Sequence, residues 1–273
     1  MVGSLVIIYP TTHEGGELVL RQNDGEWKFD ANSLTSAQPS TSLAYVAFYS
    51  DIEYEVLRVT SGRRVTVTYN LYLVDPASRS KVFTVTPNSK GASSLQTMLW
   101  RLLKSSEFLP DGGTLGFGLV HLYPITFDTK LQEMVRYLKG KDAQVYRACQ
   151  EFQLQPSLQM IYDDEMSMGC GIMTDEIVHD PGYDAILTQE RYENALVRDG
   201  GVPVNKTEDA RLEDSDWVAR EGEEGEFITW ISPFNEQNRL QDIAVSCGKY
   251  VSTRYIECSP CIIARVAAAI DRV

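Results

Sequence analysis

The chain has 273 residues, of which 43% are hydrophobic and 23% are charged, a balance that is ordinary for a globular protein. Its formal net charge of −13 disfavours nucleic acid and anionic membranes as partners, because both are bound through clustered lysine and arginine. No basic region precedes the short N-terminal apolar run, and no stretch approaches the ~18 apolar residues of a membrane span. A cytoplasmic or nuclear location is therefore expected.

The first 75 residues are rich in β-branched and aromatic residues, with turn signals between them. A hairpin is predicted around Asn23-Asp-Gly25, which is a favoured two-strand turn sequence. Strands are predicted at residues 2–9, 17–21, 26–29, 43–50, 55–59 and 64–73. Several short strands at this spacing predict an all-β barrel or sandwich.

The strand predicted at residues 64–73 has the clearest alternation. One face is apolar and is predicted to be core: Val65, Val67, Tyr69, Leu71 and Leu73. The other face is polar: Arg64, Thr66, Thr68 and Asn70. An arginine with two threonines suits the lining of an anion-binding pocket, and a solvent-facing side of a sheet explains the pattern equally well.

Residues 76–273 are predicted to form a mixed region of helices and strands that follows a polar linker at 76–92. Apolar periodicity predicts three helices, which carry Leu95, Met98, Leu99, Leu102 and Leu103, then Leu131, Met134, Val135 and Leu138, then Val145, Cys149 and Phe152. Asp142 is the predicted N-cap of the third helix. A strand is predicted at 114–123, and a final strand pair at 227–231 and 261–266.

Two further features of this region carry no predicted chemistry. Residues 199–226 are predicted to be an acidic surface loop, because nine acidic residues lie between Glu208 and Glu226. Cys258-Ser-Pro-Cys261 is a lone CxxC without the second pair that a zinc knuckle needs. We expect these two cysteines to enter a buried strand.

An ordered series of motifs gives the sequence its most specific signal. In chain order they are Gly3-Ser-Leu-Val-Ile-Ile-Tyr-Pro10, His13-Glu-Gly-Gly-Glu-Leu-Val19, Ala47-Phe-Tyr-Ser-Asp51, Val59-Thr-Ser-Gly62, Arg64-Val-Thr-Val-Thr-Tyr-Asn-Leu71, Phe108-Leu-Pro-Asp-Gly-Gly-Thr-Leu-Gly-Phe117, His121-Leu-Tyr-Pro124 and Leu138-Lys-Gly-Lys-Asp-Ala143. Together they resemble a fungal group of prolyl-4-hydroxylase-like Fe(II)/2-oxoglutarate-dependent dioxygenases over most of the chain. The resemblance implies an α+β fold: a partial double-stranded β-helix (jelly-roll-like) core over 1–75, lacking its first strands, and a family-specific C-terminal region over 76–273.

The resemblance also implies a cofactor site. Such enzymes hold Fe(II) with two histidines and one carboxylate, and an arginine about ten residues after the distal histidine binds the far carboxylate of 2-oxoglutarate. The distal histidine position holds Tyr54, and the arginine is present as Arg64. The family's H-x-D pair would precede residue 3 and has no place in this chain. The resemblance therefore assigns Arg64 to 2-oxoglutarate and leaves all three expected iron ligands absent. The alternation of the strand places Thr66 on the same pocket face as Arg64.

Three interpretations of function remain open. The chain is a dioxygenase-family protein without a complete iron site, weakly active or inactive; or an active 2-oxoglutarate-dependent hydroxylase with a missing N-terminal H-x-D segment; or a non-catalytic interaction or carboxylate-binding module. Its partner is an unknown small molecule or protein. His13 with Glu14 is the nearest alternative metal ligand set, whereas His121 and His179 are predicted to be structural. A barrel without its first strands exposes an unpaired sheet edge, so self-association through that edge is also expected.

Overall fold

The computed structural model describes residues 1–22, 25–36, 42–72, 90–163, 170–178, 192–205, 225–247 and 251–272. The chain divides into two compact units, Met1–Pro87 and Asn88–Val273. This division and the boundary predicted between residues 75 and 76 both fall in residues 73–89, outside the described part, so the predicted boundary stays a prediction. The chain is mixed α+β, mostly strands with few helices, and contains a curled half-barrel sheet.

The described part of the first unit contains eight strands and one short helix. They are β1 (Gly3–Ile8), β2 (His13–Gly15), β3 (Leu18–Gln22), β4 (Gly25–Phe29), α1 (Ala31–Ser36), β5 (Ala44–Tyr49), β6 (Glu53–Val56), β7 (Val59–Gly62) and β8 (Thr66–Leu71). Sheet A has the strand order β5-β1-β8, and sheet B has the order β4-β3-β6. Strands β2 and β7 form a separate two-stranded sheet, and every pairing is antiparallel.

The core of the first unit lies against the even-numbered side of sheet A, which we call its inner face. Val6 and Ile8 of β1 are buried there beside Ala44 of β5. Phe29 of β4 packs against the same cluster, so sheet B covers this face. Val6 pairs with Thr68 and Ile8 with Thr66, and therefore the polar residues of β8 share the inner face.

The prediction that the apolar face of β8 is core was wrong. Val65, Val67, Tyr69 and Leu71 expose 46%, 36%, 52% and 36% of their surface, and Leu73 lies outside the described residues. The alternation itself was right, because the polar and apolar residues do separate onto two faces. The face that is covered was decided by the register with β1, and that register turns the polar side of β8 inward.

Other expectations for the first unit had mixed outcomes. The predicted hairpin is confirmed, since β3 and β4 pair from Leu18↔Phe29 to Gln22↔Gly25 around residues 23–24, which are not described. The single strand predicted at 55–59 was wrong: β6 pairs with β3, whereas β7 pairs with β2. The break falls at Leu57, whose backbone N–H donates to the Glu17 carbonyl oxygen over 2.9 Å.

The second unit is built on a seven-stranded sheet. Its elements are α2 (Lys90–Lys104), β9 (Gly113–Gly118), a 3-10 helix (Leu131–Tyr137), α3 (Gly140–Glu151), β10 (Ser157–Asp163), β11 (Cys170–Thr174), α4 (Tyr192–Arg198), β12 (Val202–Asn205), β13 (Ile228–Ser232), a 3-10 helix (Glu236–Asn238), β14 (Leu240–Cys247), β15 (Val251–Val266) and a 3-10 helix (Ala269–Asp271). The strand order is β12-β11-β10-β15-β9-β13, and β14 also pairs with β15. Only the pair β13–β9 is parallel among these described strands.

Strand β15 separates two hydrophobic clusters. Cys258 and Ile262 belong to the larger cluster, whereas Cys261 and Ile263 belong to the smaller one on the opposite side. The expectation that the CxxC cysteines enter a buried strand is confirmed, and they face opposite sides of it. The predicted pairing of 227–231 with 261–266 was wrong, because β9 lies between β13 and β15.

The helices of the second unit show how far periodicity predicts packing. Leu99 is buried and Leu95 and Leu103 pack against the larger cluster, but Met98 and Leu102 are 60% and 41% exposed. The second predicted helix is a 3-10 helix that ends before Gly140. The predicted acidic loop was wrong at its start, because Val202–Asn205 is a strand paired with β11; residues 206–224 are not described.

Asp142 was predicted as a helix N-cap, and it serves a different purpose inside the first turn of α3. Its carboxylate is buried and accepts hydrogen bonds from the backbone N–H groups of Val120 and His121, each over 3.0 Å. The Tyr123 hydroxyl also donates to it over 2.8 Å, and accepts from the backbone N–H of Lys139 over 2.9 Å. This network joins α3 to the segment after β9.

Among the described helices, none has the length and apolar character that crossing a bilayer requires.

We predict that Asp142→Ala lowers the free energy of unfolding by about 3 kcal/mol or more, because it removes the acceptor of two backbone N–H groups and of the Tyr123 hydroxyl. The urea midpoint followed by circular dichroism measures the loss. Asp128→Ala is the control, since Asp128 is exposed and forms no hydrogen bond or ion pair with the described residues. Equal midpoints for the two variants would contradict the structural role of Asp142.

Candidate functional site

Arg64 lies between β7 and β8, on the inner face of sheet A. The backbone N–H of Tyr9 donates to the Val65 carbonyl oxygen over 3.0 Å, so the ladder between β1 and β8 continues past Thr66. The alternation therefore places Arg64 on the same side as Thr66. The preceding turn depends on Gly62, whose φ is +75° and whose added Cβ would collide with the Thr12 carbonyl oxygen.

The side chain of Arg64 rests on Gly16. A Cβ at Gly16 would lie 2.8 Å from Arg64 Cδ and 2.9 Å from Val59 Cγ2, and the φ of +77° also favours glycine. Gly16 is buried between β2 and β3, and its N–H donates to the Arg58 carbonyl oxygen over 3.2 Å. The aliphatic stem of Arg64 is thus held against a backbone that has room for it.

No carboxylate of the described residues forms an ion pair with the guanidinium of Arg64. Its Nε is buried and has no hydrogen-bond partner among the described residues. Burial lowers the pKa of the Arg64 guanidinium, because removal from water penalises the charged form. Arg21 is the contrast: its Nε donates to Glu26 over 3.0 Å and Nη2 to Glu55 over 2.9 Å, and these bonds raise its pKa. Arg64 is therefore a candidate for binding an anion.

The rest of the predicted polar face is unevenly buried. Thr66 is half-buried, whereas Thr68 and Asn70 are exposed. Ser4, which pairs with Asn70, is 8% exposed. Arg64 and Thr66 are therefore the pair of predicted pocket residues that share both a face and partial burial.

Tyr54, at the expected distal-histidine position, contacts Phe48. It lies on β6 opposite Leu20, and its ring is 5.2 Å from the ring of Phe48, tilted by 48°. Phe48 is on the inner face of sheet A, so the Tyr54 ring reaches from sheet B toward that face. The residue remains 58% exposed.

The described residues do not fit an Fe(II) site. No group of three or more His, Cys, Asp or Glu side chains in the described part of the chain could hold a metal ion. His13 is 5% exposed and its Nδ1 lies 2.6 Å from the Thr11 carbonyl oxygen, while the adjacent Glu14 is exposed. Neighbouring residues of a strand point to opposite faces, so His13 and Glu14 do not converge. His121 is buried in the second unit and His179 is not described.

A concave site lies in the second unit and was not indicated by the sequence. It is a cleft of about 730 Å³, and its lining includes Trp100, Lys104, Gln153, Arg265 and Arg272. Its arginines already have protein partners: Arg265 pairs with Glu226 over 3.2 Å, and Arg272 donates to the carbonyl oxygens of Phe108 and Ala267, each over 2.7 Å. Arg64 is therefore the stronger candidate for binding an anion.

Comparison with known proteins identifies no relative. No protein-family model, no curated protein and no solved structure matches the chain. The candidate site consequently rests on its own geometry. The contact between Arg64 and Gly16 was missed by sequence reasoning, because nothing in the local sequence indicates which side chain packs against a glycine.

We predict that Gly16→Ala destabilises the first unit by about 2 kcal/mol, because the new methyl group must displace Arg64 or Val59 as well as adopt a positive φ. Gly200→Ala is a matched control: its φ is +98°, and a Cβ there meets nothing within 4 Å. The control isolates the backbone term, which is about 1 kcal/mol. Equal urea midpoints would show that Arg64 is not packed on Gly16.

Proposed function

We propose that the chain is an Fe(II)/2-oxoglutarate dioxygenase-like protein whose first unit binds a carboxylate ligand and is weakly active or inactive in iron chemistry. The observation that carries this proposal is the Arg64 guanidinium, which is partly buried against Gly16 and has no carboxylate partner among the described residues. The proposal favours the interpretation of a retained carboxylate site over that of an active hydroxylase.

The arrangement of strands supports the oxygenase-like part of the proposal. Along the chain, β1, β3, β4, β5, β6 and β8 belong to sheets A, B, B, A, B and A. In a double-stranded β-helix the third to eighth strands alternate between two facing sheets in this order. Phe29, from β4, packs on the inner face of sheet A, as the facing sheets of such a core require.

The chemistry of the site favours a carboxylate. A guanidinium offers parallel N–H donors to the two oxygens of a carboxylate, and this bidentate pair is stronger where water is partly excluded. The bound anion would restore the favourable environment that burial removes from Arg64. The half-buried Thr66 hydroxyl lies on the same face and can donate to the same anion. The ligand class is a small di- or monocarboxylate such as 2-oxoglutarate.

Iron chemistry is disfavoured by the donor set. Fe(II) would supply oxygen activation in an oxygenase, but it needs histidine and carboxylate ligands on one side of the metal. Tyr54 offers a phenol where the resemblance requires an imidazole, and no metal-binding group occurs among the described residues. The role proposed for the first unit is therefore to bind and orient a carboxylate.

We expect calorimetric titration of the metal-free chain, in EDTA, to detect 2-oxoglutarate binding that Arg64→Gln weakens at least ~10-fold, since hydrogen bonds to a charged group contribute about 1.5–3 kcal/mol. Arg21→Gln is the control, because Arg21 is engaged by Glu26 and Glu55. Absence of binding to the unmodified chain, or equal affinity in Arg64→Gln, would contradict the proposal.

A second measurement concerns turnover. Supplied with Fe(II) and 2-oxoglutarate, the chain should release succinate no faster than the Fe(II) blank, because the ligand set is incomplete. Tyr54→His should not raise this rate, since one histidine does not complete the set. Stoichiometric bound iron together with succinate release would favour the alternative, an active hydroxylase.

A further inference from the structure

The odd-numbered side of sheet A, which we call the outer face, is apolar and exposed. Its three tyrosines, Tyr45, Tyr49 and Tyr69, expose 70%, 36% and 52% of their surface. Its other members are Leu5, Ile7, Ala47, Val67 and Leu71. None of these eight side chains is charged, in a chain with a net charge of −13. Contiguous apolar patches of this kind mark interaction surfaces.

The outer face is bordered by an open strand edge. Among the described strands, β8 pairs only with β1. The hydrogen bond from Tyr9 N–H to the Val65 carbonyl oxygen shows that the backbone N–H and C=O groups of the odd-numbered residues of β8 point toward β1. The backbone N–H and C=O groups of Thr66, Thr68 and Asn70 therefore point to the open edge. The other edge strand, β5, is contacted by α1, which makes β8 the more accessible edge.

We propose that β8 pairs antiparallel with β8 of a second copy of this chain, about a two-fold axis at Thr68. Thr68 then faces its own counterpart, and Thr66 faces Asn70 of the partner. On the outer face, Val67 lies opposite the partner's Tyr69, which is a favourable aromatic and β-branched cross-strand pair. The two sheets become one six-stranded sheet with a continuous apolar outer face.

The sequence of β8 suits this self-pairing. The strand Thr-Val-Thr-Tyr-Asn-Leu contains no charge and no proline, so an antiparallel copy places no like charges opposite each other and loses no ladder donor. A closed two-fold contact buries the same patch on both copies. The sequence predicted self-association through a sheet edge, and we place that edge at β8, because β1 is the central strand of sheet A.

The area of the contact fits a weak dimer. Edge-to-edge pairing covers β8 and the side chains beside its open edge, such as Val67 and Tyr69, whereas Tyr45 and Tyr49 lie on β5 at the other edge of sheet A and stay outside the contact. A single pair of six-residue strands is smaller than the ~800 Å² per copy of a standard interface. We therefore expect a dissociation constant on the order of 10 µM, as in small transient interfaces.

Sedimentation velocity over a range of concentrations tests the proposal. The full chain should shift from monomer to dimer between ~1 and ~200 µM. Tyr69→Lys should raise the dissociation constant at least ~10-fold, because it places two ammonium groups at the contact. Met98→Lys is the matched control: Met98 is 60% exposed on α2 of the second unit, and its replacement should change nothing. A monomer at every concentration, or equal effects of the two variants, would overturn the proposal.

Cross-linking tests the register without relying on affinity. Paired residues that exchange hydrogen bonds across an antiparallel ladder have Cα atoms about 5.5 Å apart, which a disulfide spans. Thr68→Cys should therefore form a disulfide-linked dimer on mild oxidation, measured on a non-reducing gel against the unmodified chain. Asn70→Cys, whose counterpart is Thr66, should not. Equal cross-linking of the two variants, or none in Thr68→Cys, would overturn the proposed pairing. The arrangement is independent of the carboxylate site.

Discussion

The antiparallel register of β1 between β5 and β8 is the constraint on which the first unit depends. It places Val6 and Ile8 on the covered side of sheet A, and with them the polar residues of β8. A shift of one residue would turn every side chain of β8 to the other face. Arg64 would then project away from sheet B, and Tyr69 would be buried. The candidate site and the exposed outer face are therefore two consequences of one pairing.

Arg64 differs from other arginines of the chain in what surrounds its charge. Arg239 also has a buried Nε without a partner, but its terminal nitrogens contact Glu236 and Glu257. Arg272 is held by several backbone carbonyl oxygens. A buried N–H donor without a partner is unfavourable for folding, and the buried Nε of Arg64 has none among the described residues. That cost argues for a retained function at Arg64 even though the iron ligands do not fit.

The second unit packs its sheet and its buried carboxylate against protein neighbours. Strand β15 lies within its sheet with one hydrophobic cluster on each side, so the sheet is covered on both faces along this strand. The buried Asp142 carboxylate satisfies backbone donors rather than standing ready for a ligand. Such a fully bonded network stabilises one arrangement of the segments that it joins. The candidate ligand site consequently lies in the first unit.

Local patterns in the sequence determined much of what is local in the structure. The hairpin at residues 18–29, the helix carrying Leu99, and the separation of β8 into polar and apolar faces all follow from turn chemistry and side-chain period. The same period cannot specify which face is covered, and the apolar face of β8 proved to be the exposed one. Which face of β8 is buried depends on strands distant in sequence, such as β1 and β4, because burial depends on tertiary neighbours. The residue type at 64 was likewise evident from the sequence, but the burial of its Nε without a partner among the described residues became visible only in the folded unit.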